Sequence, residues 1–123
     1  MDRTDQKIVV LPFPPTTGNH QHIQARNGKR FLRPDVVAWR GAVAHEVFSG
    51  NVSFLGYEPL KMELRAYMPD KRRRDLGNIE KLVSDALQLS SAILNDELLH
   101  EIHLYHCGVD RQNPRIEVTL CRK

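Results

Sequence analysis

The strongest constraint on the fold is a change of hydrophobic period between residues 60 and 89. Over residues 60–67, apolar and polar residues alternate, which is the pattern of a strand with one buried face. After Leu76, apolar residues recur at the three- and four-residue spacing of an amphipathic helix: Ile79, Leu82, Val83, Ala86 and Leu89. The sequence therefore predicts a strand, a loop from Pro69 to Asp75, and a helix.

Shorter patterns predict the elements that precede this unit. Lys7–Leu11 is a β-branched run that ends at Pro12-Phe13-Pro14-Pro15, because proline cannot donate to a sheet ladder. Asn27-Gly28 indicates a tight hairpin. Pro34 fits the first position of a helix that ends at Gly50. The apolar stripe of that helix is Val36, Trp39, Val43 and Val47.

Two more strands are predicted after the second helix. We expect their apolar residues to be buried, Ile102 and Leu104 in one and Ile116, Val118 and Leu120 in the other. With 123 residues, of which 41% are hydrophobic, the chain is long enough for one core. The predicted fold is α+β, a single domain over residues 1–123 with a mixed β-sheet packed against two main helices.

Positive charge is clustered rather than spread. The net charge is only +3, which is weak evidence for a nucleic-acid partner. Lys71, Arg72, Arg73 and Arg74 are consecutive, however, and a second basic patch consists of Arg26, Lys29, Arg30 and Arg33. Such clusters suit a phosphate backbone, and equally a solvated loop.

Other patterns narrow the class of protein. No apolar run approaches the roughly 18 residues of a membrane span, and the N-terminus lacks the apolar region of a signal peptide. Cys107 and Cys121 make no disulfide framework and lack the CxxC spacing of a metal site, which indicates a reducing compartment. His100, His103 and His106 alternate between strand faces, so they do not predict a zinc site. We expect a cytoplasmic protein with no membrane partner and no nucleotide cofactor.

Three carboxylates are candidates for holding a divalent cation. Mg²⁺ takes oxygen ligands and is usually bound by one or two carboxylates together with substrate phosphates. Asp75, Asp85 and Asp96 could converge on such an ion. The structural alternative for Asp75 is a helix N-cap, and for Asp96 a cap on a short turn.

An ordered set of motifs resembles the RusA family of Holliday-junction resolvases, which are small, often prophage-encoded endonucleases. The set is Met68–Asn78, Lys81, Asp85-Ala86-Leu87 and Leu94-Asn95-Asp96. The family pattern has a basic run, Asp-x-Asp-Asn, a lysine, Asp-Ala-Leu inside the helix and then an Asp-Asp pair. Leu11–Asn19 resembles the proline-rich opening of the family, so the resemblance spans nearly the whole chain.

The resemblance implies roles for individual residues. It implies that Asp75 and Asp96 are catalytic metal ligands and that Lys81 is the catalytic lysine. We assign Asp85 as a further metal ligand, and Lys71–Arg74 with Asn78 as DNA-binding residues. Lys81 could contact the scissile phosphate or form an ion pair with Asp85.

Two positions depart from the family pattern. Gly77 stands where the second aspartate often occurs, and Asn95 stands at the first position of the Asp-Asp pair. Either the site has lost two carboxylates and the protein binds junctions without cutting, or another carboxylate compensates. We prefer Asp85 over Glu80 or Glu97, because Asp85 shares a helix face with Lys81.

The expected function is an endodeoxyribonuclease that resolves four-way DNA junctions by paired symmetric nicks, with Mg²⁺ as cofactor and Mn²⁺ possible. Its partner is branched DNA. Two symmetric nicks need two active sites, so we expect a homodimer. The alternatives are a non-catalytic branched-DNA-binding protein on the same fold and an interaction module whose basic loop meets an acidic protein.

Overall fold

The structure is a computed structural model that describes residues 6–15 and 21–123. Residues 16–20, which complete the proline-rich opening, and residues 1–5 lie outside the described part. In chain order the elements are β1 (Gln6–Pro12), β2 (His22–Gln24), β3 (Arg30–Leu32), α1 (Pro34–Ser49), β4 (Leu60–Met68), α2 (Leu76–Leu89), β5 (Leu99–Val109) and β6 (Arg115–Arg122). A 3₁₀ turn at Asp96–Leu98 precedes β5.

The main sheet has the strand order β1-β6-β4-β5. β6 is antiparallel to both β1 and β4, whereas β5 is parallel to β4. The parallel pair is joined through α2, which returns the chain from the end of β4 to the start of β5, because parallel strands need a crossover connection. The predicted mixed sheet with two main helices, an α+β fold, is confirmed.

The core follows the predicted periods. Every second residue of β4 from Leu60 to Met68 is buried, and so are Ile116, Val118 and Leu120 of β6. Both helices contribute their predicted apolar stripes to the same core, except that Leu89, in the last turn of α2, is 64% exposed. Pro34 begins α1 as predicted, and Trp39 of α1 donates a 2.8 Å hydrogen bond from Nε1 to the carbonyl oxygen of Pro12. This bond fixes α1 to the end of β1.

The hairpin expected at Asn27-Gly28 is present, whereas the expectation for Ile102 was wrong. β2 and β3 are antiparallel, and their turn is closed by a hydrogen bond from the amide of Ala25 to the carbonyl of Lys29. Gly28 takes a φ of 81° there, a conformation that glycine adopts without steric cost. Ile102 is 39% exposed rather than buried, because β5 is an edge strand of the described sheet. Leu104 is half-buried against the core.

Among the described residues, no helix is long and apolar enough to cross a membrane.

Candidate functional site

The end of β1, the loop after β4 and the start of β6 lie together at one end of the main sheet. Pro12 of β1 pairs with Arg115 of β6, and Arg115 pairs in turn with Tyr67 of β4. The basic loop, defined here as residues 69–75, leaves β4 just beyond this row and leads directly into α2. The loop therefore lies beside the exit of β1 and the entry of β6.

Asp70 organises the basic loop. Its carboxylate accepts two hydrogen bonds from the Arg74 guanidinium, 2.7 Å from Nη1 and 3.1 Å from Nη2, and a 2.9 Å bond from the backbone amide of Arg72. The Arg74 bonds, followed by the Arg72 amide, lower the pKa of Asp70 to about 2. The bidentate geometry fixes Arg74 in one orientation.

The four consecutive cations therefore have different environments. Lys71, Arg72 and Arg73 are exposed, and the Arg72 side chain is 84% exposed. The Arg74 side chain is only 16% exposed, and its guanidinium carbon lies 5.4 Å from the centre of the Phe13 ring. The first three suit contacts with a phosphate backbone, whereas the charge of Arg74 is already offset by Asp70. The assignment of all four to DNA binding stays a prediction.

Asp75 caps the N-terminus of α2. Its Oδ1 accepts a 2.7 Å hydrogen bond from the amide of Gly77, in extended backbone geometry at φ −81° and ψ 119°. A Cβ added at Gly77 would lie 3.0 Å from this same oxygen. The capping role expected as the structural alternative is thus present. Asp75 is exposed at the end of the basic loop, so DNA held by that loop would lie beside its carboxylate.

The predicted polar face of α2 continues away from this end. Asn78 and Asp85 are half-buried and Lys81 is exposed. Glu80, one of the proposed substitute ligands, accepts a 2.6 Å hydrogen bond from the Ser84 hydroxyl within the helix.

Asp96 lies near the other end of α2. Its backbone amide donates a 3.0 Å hydrogen bond to Oε1 of Gln88, in the last turn of the helix. Asn95 caps the following turn, with its Oδ1 accepting from the amide of Glu97 at 2.9 Å. Asp96 and Glu97 are exposed. Leu99, three residues after Asp96, pairs with Leu60 at the start of β4.

The structure therefore does not bring the three predicted carboxylates together within one chain. At 1.5 Å per residue, Asp75 and Gln88 are separated by roughly 20 Å along the axis of α2, and Asp75 and Asp85 by roughly 15 Å. In the described part of the chain, no group of three or more His, Cys, Asp or Glu side chains could hold a metal ion. Their role as metal ligands stays a prediction. Since Mg²⁺ is often held by one or two carboxylates plus substrate phosphates, the exposed Asp75 fits a site that DNA would complete.

A pocket beside the basic loop was missed in the sequence analysis. It has a volume of about 320 Å³ and is lined by Phe13, Pro14, Pro15, Pro69, Arg74, Ile79 and Pro114. The available signal was the unusual density of proline at three strand ends. Periodicity could not show that these ends meet, because that depends on long-range strand pairing.

Known proteins resemble this chain over most of its length. The family model for the endodeoxyribonuclease RusA matches residues 12–121. The crossover junction endodeoxyribonuclease of Enterobacteria phage 82 is 29% identical over 113 residues, and that of Escherichia coli strain K12 is 28% identical over 112 residues. Each alignment covers 91% of this chain and 91% of the relative. The chain thus belongs to the RusA family of endodeoxyribonucleases.

Proposed function

We propose that this protein resolves four-way DNA junctions by paired, Mg²⁺-dependent nicks. The observation that carries this proposal is the match to the RusA endodeoxyribonuclease family over residues 12–121, together with relatives named as crossover junction endodeoxyribonucleases. The surface chemistry agrees with such a role. The exposed cations Lys71, Arg72 and Arg73 suit a phosphate backbone, and the exposed carboxylate of Asp75 lies two residues after Arg73.

Asp75, Asp96 and Lys81 are the residues proposed to act at the scissile phosphate. A divalent cation would supply a Lewis acid and a water of lowered pKa in such a site. Asp75 would hold the cation beside DNA bound to the basic loop. Lys81 is exposed on α2 and presents a compact positive charge, which suits contact with a phosphate oxygen. Whether Mg²⁺ or Mn²⁺ serves best is decided by titrating each ion.

The separation of Asp75 from Asp96 supports a homodimer with shared sites. Within one chain these residues lie near opposite ends of α2, so an ion bound by both requires Asp96 from a second copy. Paired symmetric nicks also require two active sites, which a two-fold dimer provides. The proposed active form is therefore a dimer in which each site combines the N-terminal end of α2 from one copy with the return turn of the other.

A non-catalytic branched-DNA-binding protein is the second candidate. The two residues that depart from the family pattern, Gly77 and Asn95, each take part in a local capping hydrogen bond. The amide of Gly77 donates to Asp75, and Asn95 caps the turn at Asp96–Leu98. Both positions thus have a structural use without a carboxylate, while the exposed cations remain. This candidate predicts junction binding with no cleavage.

One experiment separates the candidates. Purified protein is incubated with a synthetic four-way junction or with a linear duplex of matching sequence, in Mg²⁺, Mn²⁺ or EDTA. Symmetric nicks that require the metal support the resolvase. Junction-selective binding without nicks supports the binding protein. Equal affinity for the two DNAs contradicts both candidates and favours an interaction module for acidic partners.

A further inference from the structure

The pocket at the sheet end is built by four separate segments. Phe13 and Pro14 follow β1, Pro69 follows β4, Arg74 and Ile79 flank the start of α2, and Pro114 precedes β6. Pro14 and Ile79 are buried, whereas Phe13, Pro69 and Pro114 are half-buried. The walls are therefore fixed by the sheet itself rather than by a single loop.

Neighbouring polar contacts hold two of these walls. Arg115 bonds to Asp110 at 2.9 Å, to Glu117 at 2.8 Å and to the carbonyl of Asn113 at 2.9 Å, which positions the residue just before Pro114. Arg74 is held by its two bonds to Asp70. The pocket is thus formed in advance of any ligand, which reduces the entropic cost of binding.

The lining selects a flat and largely apolar group. Proline rings, and the face of the Phe13 ring that the Arg74 guanidinium does not cover, are surfaces on which an aromatic ring stacks. Among the described residues that line the pocket, Arg74 is the only charged one, and Asp70 offsets its charge. An isolated anion is therefore a poor occupant. Lys71, Arg72 and Arg73 are exposed in the loop that joins the lining residues Pro69 and Arg74, so an occupant with negative charge next to its flat part suits this surface.

We propose that this pocket receives an unstacked nucleobase from the centre of a branched DNA, with Phe13 as its stacking surface. A nucleotide combines a flat apolar base with an adjacent phosphate, which matches the pocket and the exposed cations of the adjoining loop. Bases at a branch point have lost part of their stacking, so moving one into a protein pocket costs less there than in a duplex. The pocket would thereby contribute to the preference for junctions. This inference rests on the proposed function, since it takes branched DNA as the ligand.

Affinity measurements test the role of Phe13. Binding to a four-way junction and to a matching linear duplex is measured by fluorescence anisotropy in EDTA, which prevents nicking. Phe13→Leu keeps an apolar side chain but removes the aromatic ring. We expect it to weaken junction binding roughly 5- to 150-fold, the range for one lost base–aromatic stack, and to leave duplex binding unchanged. Phe13→Tyr should retain wild-type affinity.

Tyr57→Leu is the matched control. Tyr57 is 84% exposed in the segment before β4, away from the pocket, so its replacement removes an exposed aromatic ring without affecting the pocket. Thermal unfolding of each variant shows whether the fold is intact. An equal loss of junction and duplex affinity in Phe13→Leu, or no loss at all, would overturn the proposal.

A crosslinking experiment on the wild-type protein does not depend on any variant. Junctions carrying 5-iodouracil at each position around the crossover are irradiated in the complex, and the crosslinked peptide is identified by mass spectrometry. We expect a crosslink to Phe13 from a crossover base and none from the linear duplex. Crosslinks that never include a pocket residue would refute the base pocket while leaving the resolvase proposal intact. A wild-type protein without junction preference would overturn both.

Discussion

Asp75 combines a structural role with a proposed catalytic one, and Gly77 shows how closely these roles are coupled. The Asp75 carboxylate caps α2 through the amide of Gly77, and its Oδ1 lies 3.0 Å from the place where a Cβ of residue 77 would be. A side chain at position 77 would therefore move the carboxylate by a few tenths of an ångström. The absence of a side chain leaves this oxygen in place, and it also removes a carboxylate that the family pattern often has.

Gly77→Asp is expected to strengthen metal-dependent nicking. The new carboxylate would stand next to Asp75 and add oxygen ligands for a divalent cation. We expect the Mg²⁺ concentration for half-maximal nicking of a four-way junction to fall at least about tenfold. An acidic residue in the first turn of a helix is favourable, so the fold should tolerate the change.

Gly77→Ala separates the two effects of that substitution. Alanine adds the Cβ that moves Asp75 but brings no carboxylate, so it should not lower the Mg²⁺ requirement. An identical response of the two variants would mean that the carboxylate is not the cause. A Gly77→Asp protein that binds junctions normally yet never nicks them would favour the non-catalytic candidate.

The Asp70–Arg74 pair gives the protein a defined pH dependence. Folding lowers the pKa of Asp70 from 3.8 to about 2, so the folded state binds fewer protons than the unfolded state between these values. The stabilisation by Asp70 is therefore complete above about pH 4 and is lost as the pH falls towards 2. Urea unfolding of wild type and Asp70→Asn should show a stability difference that is constant above pH 5 and shrinks below pH 4. A difference that stays constant down to pH 2 would contradict the pairing.

At the scale of elements, the basic loop has a bidentate anchor and three exposed cations. Asp70 and Arg74 form the anchor, whereas the side chains of Lys71, Arg72 and Arg73 are exposed, with Nε of Arg72 3.9 Å from the Asp70 carboxylate. Replacing those three by alanine should leave the anchor intact. We expect weaker junction binding and a plot of log affinity against log salt that is shallower by about 2 to 3, because each phosphate contact contributes about 0.9.

The β2–β3 hairpin offers a variant with the same loss of charge. Arg26, Lys29 and Arg30 are also exposed, and their replacement by alanine removes three positive charges at a different place. A larger change of salt dependence in the loop variant would assign the phosphate contacts to the loop. Equal changes in the two variants would indicate only a general effect of net charge.

The predicted and missed elements differ in the range of the interactions that decide them. Strand β4 and both helices were predicted because the apolar residues of their buried faces recur at a fixed spacing within a short stretch of sequence. Ile102 was wrongly expected to be buried, because whether a strand lies at an edge depends on pairing with distant segments. The same is true of β6, which inserts between β1 and β4.

Prediction of the candidate site from the sequence was limited by the same long-range strand pairing. The residues of the basic loop and its continuation into α2 were identified from local motifs, and the cap at Asp75 was foreseen as an alternative. The position of Asp96, at the far end of α2 from the basic loop, was not predicted. A strand, a helix and a parallel strand place the helix antiparallel to both strands, so the return turn lies at the opposite end from the loop. The order of strand, helix and strand was predicted from the hydrophobic periodicity, but the parallel pairing of β4 with β5 was not.

At the scale of the whole molecule, the separation of Asp75 and Asp96 makes subunit composition testable. If each site takes Asp75 from one copy and Asp96 from the other, a mixed dimer of Asp75→Asn and Asp96→Asn has one site with both substitutions and one with neither. If each site lies within one chain, both sites of the mixed dimer carry one substitution. The two arrangements thus predict different activities from the same pair of variants.

Co-expression of the two variants, with different affinity tags to isolate the mixed dimer, should restore nicking in one strand but not the paired cut. Asn caps a helix as well as Asp does, so Asp75→Asn should fold normally and each single variant should bind junctions without cutting them. Denaturing gels of end-labelled junctions distinguish one nick from two. A mixed dimer as inactive as its parents would instead indicate that both carboxylates of a site come from the same chain. We do not expect this result, because Asp96 lies beside Gln88, roughly 20 Å from Asp75 along α2.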